Sequence, residues 1–258
     1  MPTYIDQLNR SVELDELPKK IISIVPSQTE LLFDLGLNPE IIGITKFCTH
    51  PYDKVKRFTK IGGTKQLNVP VIKLLNPDLI IANKEENDQV QIEELMKLFP
   101  VWISDINNLP EAVKMVETVG EMVDKKKEAL KISKDIIANF SHLVKPSRQL
   151  KVAYLIWRKP YMVAGSGTFI DSMLKLCGYA NVIEQTRYPE LSSNAIIQAN
   201  PDLIMLSSEP YPFGKKHIQE FKDMLPNAKV ILVDGEMFSW YGSRMVLAPE
   251  YFNSIAIN

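Results

Sequence analysis

The sequence predicts an α/β protein of two similar lobes with parallel-type sheets, joined by one long α-helix, with a ligand cleft between the lobes. Three observations carry this expectation. A five-residue segment occurs twice: Asn76-Pro77-Asp78-Leu79-Ile80 returns as Asn200-Pro201-Asp202-Leu203-Ile204, 124 residues later. Each copy follows a short helical pattern, Val71 to Leu75 and Ala195 to Ala199, and leads into an apolar strand. Short apolar strands alternate with helical patterns throughout, the spacing of a parallel sheet. Finally, Pro110 to Lys145 contains no further Pro and a single Gly, with apolar residues at helical spacing. Two copies make a duplication, not a solenoid.

In chain order, residues 1–20 are polar and precede the first apolar strand, Ile21 to Val25. A helix then opens at Pro26-Ser27-Gln28-Thr29-Glu30, where Ser27 and Glu30 have capping-box spacing. It runs to Gly36, as a later stretch opened by Ser166-x-Thr168 runs to Gly178. Further strands are expected at 41–45, 79–82 and 101–103, with a helix over 88–98. The stretch 110–145 reads as one helix of about 35 residues, roughly 50 Å long at ~1.5 Å per residue. Two helices broken near Gly120 or Asp124 are the alternative. In the second half, strands are expected at 152–157, 162–164, 203–206 and 230–233. Helices are expected near 168–177, 192–199, 215–224 and 243–256. The domains follow as residues 1–109, a connecting helix 110–146, and 147–258.

A net charge of -1 gives no global basic field for nucleic acid or an anionic membrane. Two cysteines far apart, Cys48 and Cys177, do not suggest a disulfide framework. The start, Met1 to Asp6, lacks the basic and apolar regions of a signal peptide, and no run approaches the ~18 apolar residues of a membrane span. As it stands the chain reads as soluble, cytoplasmic and monomeric, or as periplasmic if a signal has been removed.

Ligands of open α/β sheets bind beyond the carboxyl ends of the strands. That rule selects Ser27, Gln28, Phe47, His50, Thr64, Lys65 and Asn83 in the first half. In the second half it selects Trp157, Arg158, Ser166, Glu236, Phe238, Trp240, Tyr241 and Arg244. Rings supply large contact area at low entropy cost and Arg supplies directional donors, which suits a large ligand that is partly flat and partly polar. Cys48-x-His50 alone is too small a set for a protein-only metal site. Gly165-Ser166-Gly167-Thr168 lacks the Walker spacing and is not a nucleophile elbow, although a helix N-terminus there could hold an anion.

Several of these segments carry a family resemblance. Ile21 to Glu30, Leu35-Gly36, Ile42-Gly43-Ile44-Thr45, both Asn-Pro-Asp-Leu-Ile segments and Leu176-Cys177-Gly178 resemble the vitamin B12 and ferric-siderophore binding proteins of ABC importers. These are the helical-backbone, or class III, periplasmic binding proteins. The resemblance covers the chain from Asp6 and implies two α/β lobes on a long rigid helix. It places corrinoid-contacting positions near Gln28, Phe47, Thr64, Asn83, Trp157, Glu236 and Trp240. Phe47 keeps an aromatic, Thr64 and Asn83 replace aromatics, and Trp240 stands where an arginine is expected. The glutamates by which such proteins dock on transporter arginines fall at Pro70 and Asn194, so ABC transporter membrane subunits are an expected partner without their usual contacts. Glu94 and Glu190 are the nearest substitutes.

The resulting expectation is non-enzymatic binding of a small metal-containing organic ligand: a corrinoid, a haem-like ring or a ferric siderophore. The protein is read as an importer's substrate-binding component or as a cytoplasmic carrier or sensor derived from one. No intrinsic cofactor is implied. One rival is an enzyme of corrinoid or siderophore processing, with Glu236 or His50 as general base; turnover would distinguish it. Another is a receptor for a bare transition metal, which the shortage of ligands disfavours.

Overall fold

The computed structural model describes residues 2–256 and divides into two compact units. The first comprises the residues through Ile106, with Pro110–Ile137 and Tyr241–Val246; the second comprises Asn107–Leu109, Ala138–Trp240 and the residues from Leu247.

An antiparallel hairpin, β1 (Thr3–Ile5) and β2 (Ser11–Glu13), opens the first unit. Sequence reading missed it because its residues are polar. Asp6 organises it, accepting the Leu8 and Arg10 backbone N–H groups at 2.9 Å each and pairing with the Arg10 guanidinium. The first sheet follows: β3 (Ile21–Ser23), α1 (Pro26–Asp34), β4 (Ile41–Ile44), α2 (Tyr52–Val55), α3 (Val69–Leu75), β5 (Leu79–Asn83), α4 (Gln89–Met96) and β6 (Val101–Ser104). Its four strands are parallel, in the order β4-β3-β5-β6. Ile22, Ile24, Ile72, Ile80 and Ile103 form its core.

The capping box expected at Ser27 does not form. Pro26 takes the first helical position, Val25 becomes the N-cap, and Ser27 lies buried inside the helix. Proline has no N–H to satisfy and its fixed φ suits that place.

The stretch expected as one helix is two, α5 (Leu109–Met122) and α6 (Lys126–Phe140). Asp124 sits at φ 54, and two capping bonds close α5: Lys125 N–H to Gly120 O at 2.7 Å and Asp124 N–H to Glu121 O at 3.4 Å. This is a Schellman ending with aspartate in the left-handed position usually given to glycine. The break therefore falls at Asp124, one of the two places the sequence left open.

The second unit contains β7 (Lys151–Trp157), β8 (Tyr161–Val163), α7 (Phe169–Leu176), β9 (Ala180–Asn181), β10 (Glu190–Leu191), α8 (Ser193–Ala199), β11 (Leu203–Ser207), α9 (Lys215–Met224), β12 (Lys229–Val233), α10 (Gly235–Ser239) and α11 (Ala248–Ile255). Its sheet runs β10-β8-β7-β11-β12, with β9 beside β7. The β9–β7–β11–β12 part is parallel and the β8 and β10 edge is antiparallel. The helix expected over 243–256 is a 3-10 turn, Ser243–Val246, followed by α11.

The duplicated segment is a structural device. Asn76 (φ 48) ends α3 and Asn200 (φ 46) ends α8, both left-handed. Proline then prevents further helix. The aspartate clamps a neighbouring segment: Asp78 accepts Lys19 and Lys20 backbone N–H at 2.9 Å, and Asp202 accepts that of Lys151 at 2.9 Å. Each copy thereby sets the register of a central strand, β5 or β11, whose five residues are all buried. The two helix ends at Gly36 (φ 87) and Gly178 (φ 83) match as well. In each, a Schellman pair of bonds forms, Leu37 N–H to Leu32 O with Gly36 N–H to Phe33 O, and Tyr179 N–H to Leu174 O with Gly178 N–H to Lys175 O. Asp78→Ala is expected to lower stability by about 1–2 kcal/mol through loss of charge-assisted backbone bonds, measured as a reduced urea midpoint at unchanged m-value.

Candidate functional site

In the first unit, the first turn of α1 and the carboxyl ends of β5 and β6 bring Gln28, Asn83 and Ser104 together. Gln28 Nε2 donates to Ser104 Oγ at 2.6 Å, Asn83 Nδ2 donates to the same oxygen at 3.0 Å, and Ser104 donates to Ala82 O at 3.1 Å. Asn83 Oδ1 also accepts the Glu85 and Glu86 N–H groups at 2.8 and 3.0 Å. These residues are buried, so Gln28 and Asn83 brace the loops. Asn87, buried nearby, donates to Ile24 O and Thr64 O at 3.1 Å each. Lys65 Nζ reaches Glu85 O and Asn87 O at 2.6 and 3.1 Å, which ties the Thr64-Lys65 loop to the one after β5. Neither Ser104 nor Asn87 stood out in the sequence. Their signal was a small polar residue within a few positions of a strand's carboxyl end.

Phe47 is an exposed ring of this unit, 52% accessible, with Lys46 Nζ 5.1 Å from its centroid; Tyr52, at the start of α2, is another. Phe47 lies against Gly63, where a Cβ would come within 2.9 Å of the ring. Cys48 is buried, with Sγ 3.2 Å from both Thr29 Oγ1 and Thr45 Oγ1, and burial raises its pKa. A buried neutral thiol is no metal ligand or nucleophile. Among the described residues no group of three or more His, Cys, Asp or Glu could hold a metal.

Arg244, expected to face ligand, is engaged elsewhere. Its Nε and Nη2 bond the two carboxylate oxygens of Glu30 at 2.8 and 2.6 Å, and the side chains are only 9% and 13% exposed. Burial raises the Glu30 pKa against the pull of Arg244 and, further out, of His50. His50 and Thr64 are half-buried, and Tyr241 is buried in this unit.

In the second unit, Trp157 and Arg158 lie not in a strand-to-helix loop but in the β7–β8 hairpin, Trp157 as the last residue of β7 and Arg158 in the turn. Trp157 remains 39% exposed, its ring edge-to-face with Tyr211 at 5.7 Å. Arg158 Nε pairs with Glu220 at 2.9 Å. Ser166 donates to Glu184 O at 2.8 Å, and it is Thr168 that caps α7. The helix N-terminus considered for an anion is filled from within: the Asp171 carboxylate accepts Gly167 N–H at 3.2 Å.

Phe238 is a core residue, fully buried against Phe252 (4.5 Å) and Tyr154 (5.1 Å), and leaves the set of ligand-facing rings. Trp240 is also buried, and its Nε1 donates to Glu209 Oε1 at 2.8 Å. Glu209 was missed from sequence. Burial raises its pKa, as do the charges of Glu236 and Asp234, while Ser239 and Trp240 bond it. A surface hollow of about 570 Å³ is lined by Ser208, Glu209, Phe213, Asp234 and Glu236, with Leu232 and Val233. The hollow of about 370 Å³ in the first unit, beside Leu17, Leu37 and Val123, lies at the opposite, amino-end side of its sheet.

Each unit thus offers an exposed ring at a strand's carboxyl side, Phe47 against Gly63 and Trp157 against Tyr211, together with hydrogen-bonding groups. That arrangement can stack and hydrogen-bond a ligand. The fold is shared with solved structures: the periplasmic heme-binding protein RhuT from Roseiflexus sp. RS-1, in apo form, matches with a TM-score of 0.79, 19% identity, and 92% of this chain and 98% of that one covered. Among relatives, the ABC transporter substrate-binding lipoprotein YvrC of Bacillus subtilis (strain 168) is 26% identical, covering 96% of this chain and 83% of its own. The vitamin B12-binding protein of Pectobacterium carotovorum subsp. carotovorum (strain PC1) is 23% identical, covering 91% and 87%. The sequence profile of the family described as periplasmic binding protein matches residues 21–226, well over half of the chain, and the chain belongs to that family.

Proposed function

We propose that this protein is the substrate-binding component of an ABC importer and binds a metal-containing organic ligand of the corrinoid, haem or ferric-siderophore class without transforming it. Membership of the periplasmic binding protein family supports the role. The observation that carries the ligand class is a pair of exposed rings on strand-end segments, Phe47 in the loop after β4 and Trp157 at the end of β7, each braced by a neighbour. A stacked π-face suits a macrocycle or an aromatic chelate better than a bare ion. The relatives point the same way, since those above are named for vitamin B12 and heme.

No helix among the described residues is long and apolar enough to cross a membrane. Pro70 and Asn194 are the second residues of α3 and α8, six positions before the two left-handed asparagines, so they occupy matching places in the duplication. Neither carries a carboxylate, and Glu94 is already paired with Lys73 at 2.8 Å. Docking on a transporter therefore relies on groups other than an ion pair at those two places.

Trp157→Ala and Phe47→Ala are each expected to weaken ligand binding by about 1–3 kcal/mol with a smaller change in melting temperature than a core truncation gives, because both rings are partly exposed in the free protein. Isothermal titration of each variant with whichever of cyanocobalamin, haemin or a ferric hydroxamate binds the parent measures this. Unchanged affinity in both variants would remove the two rings from the site.

A further inference from the structure

We propose that Tyr211 is a positioning residue for the ring of Trp157, and that His217 holds Tyr211 in the orientation that presents this ring to ligand. The proposal rests on the reading of Trp157 as a ligand-stacking ring and adds to it a control by acidity.

Trp157 stands at the end of β7, in a hairpin turn that does not itself fix the indole. Its side support is Tyr211, which meets it edge-to-face at 5.7 Å with 67° between the planes. Tyr211 is itself hemmed in. Its backbone N–H reaches Ile156 O at 3.3 Å, and its ring packs on Phe213 at 4.8 Å and on His217 at 5.5 Å. The phenol oxygen lies 3.2 Å from His217 Nε2.

His217, in the first turn of α9, is 3% exposed. Its Nδ1 accepts the Gly214 backbone N–H at 2.9 Å. A nitrogen that accepts a proton donor carries no proton of its own. The neutral ring therefore bears its proton on Nε2 and donates to Tyr211. Protonating Nδ1 would set two donors against each other, and the bond to Gly214 would be lost.

The surroundings favour the neutral ring. Burial, then Lys216 on its own helix and Arg158 from the β7–β8 turn, push the His217 pKa below the ordinary imidazole range, with Glu220 one turn along opposing them. Glu220 itself is committed to Arg158 and to the Tyr161 hydroxyl, which donates to it at 2.6 Å. A histidine with a depressed folded-state pKa contributes stability that is present above its unfolded value, about 6.5, and is lost as pH falls through the folded value. Loss of the Gly214 bond in acid removes the fixed point of the imidazole, so the ring, and Tyr211 with it, can shift. Trp157 is accordingly held at neutral pH and loosened in acid, and a ligand stacked on it is held more weakly.

The test uses the full chain without ligand. The emission of Trp157 is isolated as the difference between the parent and Trp157→Phe, recorded from pH 8 to pH 5 with acrylamide quenching. The expected result is a red shift and easier quenching as pH falls, absent in His217→Gln. Tyr211→Leu should give the acid-like spectrum at every pH, and Tyr211→Phe, which keeps the ring but loses the bond to His217, should give a spectrum between the two that no longer changes with pH. A pH transition that survives His217→Gln, or a Trp157 spectrum indifferent to Tyr211→Leu, overturns the proposal. Should Tyr211→Leu fail to fold, the His217→Gln pH profile decides alone. In a second arm, titrations with cyanocobalamin and with haemin at pH 8 should show Tyr211→Leu binding about three- to tenfold more weakly for whichever probe binds the parent. A Trp157→Ala variant that binds as the parent does overturns the ligand-stacking reading, while the emission arm still decides the positioning.

Discussion

Replacing Glu30 by Ala is expected to destabilise the protein by about 3–5 kcal/mol, the cost of stranding a buried charge. Arg244 is 9% exposed and its guanidinium is bonded bidentately to Glu30. The intact pair is not itself a large source of stability. Burial already lifts the Glu30 carboxyl above the ordinary range, which shows that desolvation outweighs the attraction to Arg244. The loss comes from removing one partner only. A double variant, Glu30→Leu with Arg244→Met, should therefore recover most of the deficit. Urea unfolding of the two single variants and the double measures this directly. A double variant as unstable as Glu30→Ala would show that packing, not the stranded guanidinium, sets the cost. The pair matters for architecture because it fastens the late segment Tyr241–Val246 to α1 within the first unit.

Gly120→Val should cost about 3 kcal/mol, at the upper end of ordinary overpacking. Any Cβ at Gly120 collides with the Cβ of Ala129, so the residue is glycine because α5 and α6 approach there without side chains between them. Valine adds branched bulk to that collision and is stiff in a helix. The expected readout is a fall in melting temperature with unchanged affinity for ligand. Paired with Ala129→Gly, which vacates the opposing Cβ, the loss should shrink. If Gly120→Val were neutral, α5 and α6 would have to be spaced more widely than they are.

Much of the parallel framework was legible in the sequence because parallel strands buried on both faces are continuous apolar runs. Leu79–Asn83 and Leu203–Ser207 read as strands for that reason, and the duplicated Asn-Pro-Asp before each one announced where a helix had to stop. The break at Asp124 was harder. Aspartate is a less usual residue for a left-handed cap, and the apolar spacing continues past it, so periodicity alone favours an unbroken helix. The N-terminal hairpin was hidden because Asp6 and Arg10 hold it with charge and backbone bonds that leave little apolar pattern.

The candidate site was legible by region more than by residue. The rule about carboxyl ends names segments, yet it cannot tell a ring that faces water from one that faces the core. Phe47 and Trp157 are exposed, whereas Phe238 and Trp240 are buried. Arg244 was read as a ligand donor because its partner, Glu30, is distant in sequence and was assigned to a cap. Pairings such as Gln28 with Ser104 and Trp157 with Tyr211 likewise join residues far apart in the chain, and only the fold reveals them.

The central claim is that this chain binds a metal chelate of the corrinoid, haem or ferric-siderophore class and leaves it intact. The most direct measurement is an absorbance titration of the full chain with cyanocobalamin, haemin and a ferric trihydroxamate, followed by recovery of the ligand after denaturation. The account predicts saturable one-step binding of one of them, with the chelate recovered unchanged. Binding of none, or recovery of a chemically altered chelate, would contradict it.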